Sequence, residues 1–253
     1  RFYFNLGYSF DVEESVLDPR MVMGIDLGEV NPAYVGFNFN KYIRDKIDDN
    51  SICGIKNEID DRLSRLKHSR KFASSGSVGH GRATLMKAKS KLNHYAYNLQ
   101  QTKNHVWSKY LIDVALKHGC GTIAMENLSH QSMEKGIKVN KKLGGGIRDQ
   151  TEKNDFLRHW SVYQFQHDIE YKAREKGLYV VYVDPYQTSQ RCNECGNVDP
   201  KSRNDRVFKC TKCGHQTDAD FNAAKNIADL GKQEIDKILN NKEKEKKKKK
   251  KKK

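Results

Sequence analysis

The sequence predicts an α/β fold: a central mixed sheet flanked by helices, with a zinc ribbon inserted near the end. Three observations carry that expectation. Two short apolar runs, Met21-Val-Met-Gly-Ile-Asp26 and Gly121-Thr-Ile-Ala-Met-Glu126, each end in an acid and read as buried strands. Longer stretches with a three-to-four apolar period alternate with them, which is the pattern of helices layered on a sheet. Two C-x-x-C pairs, Cys192 with Cys195 and Cys210 with Cys213, stand fourteen residues apart, each with a glycine just behind it, Gly196 and Gly214. Four thiolates on two such turns can take one Zn²⁺ tetrahedrally.

The elements follow in order. After the first strand, Tyr34-Val-Gly-Phe-Asn-Phe39 alternates and follows a turn at Asn31-Pro32, so it is expected to pair antiparallel with its predecessor. A third strand is expected within residues 41–54. Residues 56–72 show helical spacing at Ile59, Leu63 and Leu66, ended by a Ser, Gly and His loop over 74–81. A long helix follows, with its apolar period read at Leu85, Ala88, Leu92, Tyr95, Leu99, Val106, Tyr110 and Val114, and it stops at Gly119. Residues 129–153 are polar, basic and contain Gly144-Gly-Gly146, which predicts a mobile loop or lid. Helix is expected again over 154–176, then the buried strand Leu178-Tyr-Val-Val-Tyr-Val183, the ribbon, and a final helix from Asp218 toward Asn240.

Composition narrows the function. The net charge is +15, but residues 242–253 are ten lysines and two glutamates, so +8 of it sits in that tail and the rest of the chain is only moderately basic. Such a body suits a phosphate-tracking surface. The tail reads as a solvated, disordered run that raises non-specific affinity for nucleic acid at low salt. Four of the six cysteines have metal spacing, and Cys53 and Cys120 share no pairing pattern. That usage excludes a secreted disulfide scaffold and points to a reducing, cytoplasmic setting. No apolar run is long enough to span a membrane, and no signal peptide opens the chain. The chain begins Arg1-Phe-Tyr-Phe-Asn and reads as the C-terminal part of something longer.

Three acids stand at element ends: Asp26, Glu126 and an acid opening the last helix, either Asp218 or Asp220. Far apart in sequence, they converge only if the two strands are neighbours and the helix packs across them. Clustered carboxylates repel, so their assembly implies a cation. Two Mg²⁺ ions about 3.5–4 Å apart suit such hard oxygen ligands and clamp both oxygens of an in-line displacement at phosphorus. Singly, each acid is equally a plain strand-end or helix-start residue, and Asp218 is a good helix cap. Gly24-Ile-Asp26-Leu-Gly28 also fits the phosphate loop of an actin-like kinase or ATPase, a reading that leaves the ribbon and the last helix unexplained.

Together, Gly24-Ile-Asp26-Leu-Gly, Met125-Glu126-Asn-Leu, Thr188-Ser-Gln-Arg-Cys192-x-x-Cys195-Gly and Asp220-Phe-Asn-Ala-Ala-Lys-Asn-Ile227 resemble, in this order, the RuvC nuclease domain of TnpB-type transposon proteins and of compact type V CRISPR effectors. The resemblance implies a ribonuclease H-like fold and a metal-dependent, RNA-guided DNA endonuclease. It implies Asp26, Glu126 and Asp220 as catalytic ligands of two Mg²⁺, with Mn²⁺ able to substitute, and favours Asp220 over Asp218. It implies one structural Zn²⁺ on Cys192, Cys195, Cys210 and Cys213, in a ribbon that helps load single-stranded or unwound target DNA. Arg191 is then expected at the scissile phosphate and Arg82 at the nucleic-acid duplex. The guide RNA would need an N-terminal half of which only residues 1–20 are a remnant. The implied layout is 21–188 and 217–240 for the nuclease domain, 189–216 for the ribbon, and 241–253 for a disordered tail. A non-cleaving, guide-dependent binder is the alternative, and the presence of all three acids argues against it.

Overall fold

In the computed structural model, the described residues are 16–28, 31–49, 81–128 and 162–250, with isolated positions at 7, 9 and within 55–65. The expected lid over 129–153 and the loop at 74–80 lie outside the described residues. Five strands form the main sheet: β1 (Val22–Asp26), β2 (Ala33–Phe37), β3 (Arg44–Ile47), β4 (Thr122–Glu126) and β5 (Tyr179–Val183). Their order is β3-β2-β1-β4-β5. β1 pairs antiparallel with β2 and parallel with β4, while β4 pairs parallel with β5. The sheet is therefore mixed, as the sequence predicts.

Alternation along each strand sorts side chains to two faces. Met23, Ile25, Val35, Phe37, Ile123 and Met125 share a buried cluster with Trp107, Leu111 and Ala115 of α1 (Gly81–Lys117) and with Phe165 and Ile169 of α2 (Val162–Glu175). Val22, Ala124, Val181 and Val183 share the opposite cluster with Ile227 and Ile235 of α3 (Ala219–Lys250). Burying each such aliphatic side chain is worth about 1.5–3 kcal/mol. α3 crosses β1, β2, β4 and β5 on that face. It comes unusually close: a Cβ on Gly24 would stand 2.2 Å from the Ala224 carbonyl oxygen, and one on Gly231 would stand 2.3 Å from the Ala124 Cβ. Small residues at both contacts let the helix backbone sit almost on the strands.

Two expectations differ from the structure. The apolar stripe expected along α1 is only partly the buried one: Val114 is buried, but Tyr95, Val106 and Tyr110 are exposed, and Asn104, Trp107, Ser108, Leu111, Ile112 and Ala115 are buried as well. Aromatic residues stand all around this helix, so periodicity alone does not choose the face, and Tyr110 instead donates its hydroxyl to Asp45 Oδ2 at 2.7 Å. α3 also continues to Lys250, past residue 240, where the sequence predicts a disordered tail. Lysine and glutamate are good helix formers, and Lys242 stands 4.8 Å over the Tyr179 ring, which favours continued winding.

Between β5 and α3 lies a small antiparallel sheet of β6 (Arg203–Asn204), β7 (Val207–Lys209) and β8 (Gln216–Asp218). Lys41 Nζ to Glu194 at 2.8 Å and Asn193 Nδ2 to Asp229 at 2.9 Å tie it to the main layer. No described helix is long and apolar enough to cross a membrane.

Candidate metal centres

The two cysteine pairs sit on matching turns. In the first, Gly196 N–H donates to the Cys192 carbonyl at 2.8 Å; in the second, Gly214 N–H donates to the Cys210 carbonyl at 3.1 Å. Both glycines have positive φ, 71° and 73°, a conformation that a Cβ disfavours. These turns aim four sulfurs at one point, all within 4.8 Å of one another. The Cys192–Cys213 and Cys195–Cys210 Sγ separations are 3.7 and 3.6 Å. Tetrahedral Zn–S bonds of about 2.3 Å set sulfur–sulfur distances of about 3.8 Å, so the set fits zinc. Backbone N–H groups of Lys212 and Cys213 point at Cys210 Sγ, and the N–H of Cys213 in particular pulls its thiol down to about 6. Phe208 and Ala219 pack against Cys192 and Cys210 and close the cluster from one side.

The acidic centre is assembled from distant elements. Parallel pairing of Ile25 with Met125 puts Asp26 and Glu126 side by side at the ends of β1 and β4. Each lies two residues beyond a position that faces α3, Gly24 and Ala124, so both acids face the start of that helix. There Asp218 Oδ1 accepts from the N–H groups of Asp220 and Phe221 at 2.9 and 3.2 Å. Asp218 is thus the cap, and Asp220 occupies the first turn, where the helix dipole favours an anion.

Burial first, then the negative charges of Glu126 and Asp220, hold the Asp26 carboxyl well above its ordinary value. Burial raises Glu126 as well, opposed by a hydrogen bond from Thr188 and by the charge of Arg203. Among the described residues only the four cysteines bring all their ligand atoms within 4.8 Å, so the acids converge more loosely than the sulfurs. Carboxylates gathered and left mutually repelling are chemically suited to hard divalent cations.

The structure adds Arg203 and Gln166, which the sequence does not single out, and gives a contact to Thr188, which opens the motif before the first cysteine pair. Arg203, on β6 of the ribbon, places Nη2 3.2 Å from Asp220 Oδ1 and is the cation that counters Asp26 and Glu126. An arginine midway between two cysteine pairs carries no spacing signal. Thr188 Oγ1 donates to Glu126 Oε1, and Gln166 Nε2 donates to the Glu126 carbonyl at 2.8 Å. Arg191 lines a cleft of about 260 Å³ with Tyr186, Thr188 and Val198, and its charge acts on Asp229. Arg82 falls in the first turn of α1, where its side chain is outside the described residues.

A family model described as "Cas12f1-like, TNB domain" matches residues 163–227, which hold β5, the ribbon and the start of α3. The CRISPR-associated endodeoxyribonuclease Cas12f1 of Sulfoacidibacillus thermotolerans is 37% identical over 240 residues, 94% of this chain and 52% of that one. A TnpB-like protein of Methanocaldococcus jannaschii is 37% identical over 132 residues, 50% of this chain and 42% of that one. Among solved structures, a cryo-EM CRISPR-Cas12f ternary complex aligns with a TM-score of 0.64 at 27% identity, over 87% of this chain and 41% of that one. A Cas12f1–sgRNA–target DNA complex aligns with a TM-score of 0.58 at 25% identity, over 87% and 52%. The chain spans about half the length of the curated relatives it matches. Its mixed sheet and helices therefore form a ribonuclease H-like (RuvC) layer carrying a ribbon, and the chain is a relative of the Cas12f1 and TnpB-like proteins.

Proposed function

We propose that this chain is the nuclease-bearing part of an RNA-guided DNA endonuclease that works inside a reducing prokaryotic cytoplasm. The observation that carries the proposal is the meeting of Asp26, Glu126 and Asp220 on one face, from two parallel strand ends and one helix start. Asp26, Glu126 and Asp220 would hold two Mg²⁺ ions, and the ribbon cysteines one structural Zn²⁺. Bound Mg²⁺ supplies charge to activate a water and to steady the departing 3′ oxygen, so no side chain need act as general base.

The protein's own groups do the rest. Arg203 balances the acids when the site is empty. A strand entering the site offers it a phosphate oxygen instead, and a guanidinium suits that exchange because its donors match carboxylate and phosphate alike. The cleft beside Thr188, with an exposed Tyr186 ring and Arg191 at its wall, can take a neighbouring nucleotide by stacking and charge. Selection of the target would rest on pairing with a guide RNA held by the remainder of the protein. The Cas12f1 complex with sgRNA and target DNA supports that assignment of partners.

The test is Mg²⁺-dependent cleavage of single-stranded DNA by the chain, beside Asp26→Ala, Glu126→Gln and Asp220→Ala. Cutting that vanishes in all three variants is the expected result. Cutting that survives in any one of them removes that acid from the site. If none of the four cuts, the guide-holding part and a guide are added, and the same loss in the variants is then required.

A further inference from the structure

We propose that Thr188 is a positioning residue that sets the direction of the Glu126 carboxylate, and that Asn222 and Asn226 lock it to the helix carrying Asp220. The inference rests on reading the three acids as cation ligands. Thr188 is 3% exposed, and its Oγ1 donates to Glu126 Oε1 across 62 positions of sequence. The same oxygen lies 3.1 Å from the Pro185 carbonyl. A hydroxyl has one hydrogen, and of these two acceptors an ionised carboxylate is the stronger. A threonine serving only its own turn would be satisfied by Pro185. Its reach to β4 is the part that turn geometry does not require.

The backbone beneath Thr188 is held just as firmly. Gln187 adopts a left-handed φ of 62°, and its carbonyl accepts from the N–H groups of Gln190 and Arg191 at 3.1 and 3.0 Å. Asn226 Nδ2 then donates to the Thr188 carbonyl at 2.8 Å and to the Arg191 carbonyl at 2.7 Å. Asn222 Nδ2 donates to the same Arg191 carbonyl at 2.7 Å, while its Oδ1 accepts from Asn193 N–H at 3.1 Å. Both asparagines are almost fully buried in α3.

A continuous path results: Glu126 to Thr188, Thr188 to Asn226, and Asn226 along one rigid helix to Asp220. Two acids from separate elements are thereby fixed relative to each other without touching. A β-branched residue suits the post, because its χ1 is stiff. Groups that orient metal-binding side chains in this way typically change metal affinity or activity by about 10- to 100-fold when removed.

The experiment is calorimetric titration of Mn²⁺ into the zinc-loaded chain, comparing the native form with Thr188→Val, Thr188→Ser and Asp26→Ala. Thr188→Val keeps the shape and removes the hydroxyl, and it should weaken Mn²⁺ binding by about tenfold or more. Thr188→Ser restores the hydroxyl and should stay within about threefold of the native chain, with zinc content unchanged in both. If Thr188→Val loses its zinc or its melting transition, Thr188→Ala, which adds no volume, carries the same comparison. Native-like Mn²⁺ affinity without the hydroxyl, alongside loss in Asp26→Ala, would overturn the positioning role and leave the cation reading standing. Native chain that takes up no Mn²⁺, or takes it up equally in Asp26→Ala, would overturn the cation reading and this inference with it.

Discussion

The ribbon and the acidic centre are both suited to metal, yet they are built in opposite ways. The ribbon draws four ligands from 22 consecutive positions, on two turns of the same shape; two sulfur pairs already stand 3.7 and 3.6 Å apart, and all four lie within 4.8 Å of one another. The acidic centre draws three ligands from positions 26, 126 and 220, and its spacing is looser. The ribbon is complete in itself. The acidic centre is not: Arg203 reaches it from β6 of the ribbon, and Thr188 from the turn leading into the first cysteine pair. A local site can thus be a structural support for a non-local one, and damage should pass between them in one direction only.

The largest effect that sharpens this contrast is expected at Arg203. Arg203→Ala leaves all four cysteines in place but removes the ribbon's cation from the acids. Cleavage should fall by about a hundredfold, the scale of losing one preorganised electrostatic donor, while zinc content stays at the native level. Equal cleavage rates for the variant and the native chain would mean that Arg203 only balances idle carboxylates. A smaller effect is expected at Gly24. Gly24→Ala forces a methyl group against the Ala224 carbonyl and should cost about 1–3 kcal/mol, read as a lower melting temperature. The shift of α3 should slow cleavage too, since Asp220 rides on that helix; unchanged melting would show that the helix has room to move. The smallest effect concerns the thiols. Burial pushes Cys120 up to about 12, so it should resist alkylation at pH 8 whether or not zinc is present. The ribbon cysteines should become reactive only after chelation, as mass spectrometry of labelled peptides would report. Labelling of Cys120 in the zinc-loaded chain would contradict its burial.

How much of this was legible in the sequence follows from the same contrast. The ribbon could be read outright, because ligand spacing and the two glycines are consecutive in the chain. The strands could be read too, as apolar runs ending in Asp26 and Glu126. Their adjacency could not, because it depends on a parallel pairing across 100 positions that no local pattern states. Asp218 and Asp220 are indistinguishable as residues; the cap geometry separates them. Arg203 acts through three-dimensional reach, and for it spacing offers no sign; Asn222 and Asn226 stand in the motif that opens the last helix, but only the structure gives them partners. The buried face of α1 is only partly legible: Val114 lies on it, but the aromatic residues point both ways, and Trp107 rather than Tyr110 meets the sheet-side core.

The one-way dependence is tested most directly by measuring both metals in two variants, Cys213→Ser and Glu126→Gln. Zinc binding to ribbons of this kind is worth on the order of 10–16 kcal/mol, so Cys213→Ser should lose its zinc and unfold residues near 189–216. With them go Thr188 and Arg203, and Mn²⁺ binding at the acids should weaken or disappear. Glu126→Gln should keep one tightly bound zinc and lose only Mn²⁺. Native-like Mn²⁺ binding in a zinc-free Cys213→Ser chain would contradict the dependence, and so would loss of zinc in Glu126→Gln.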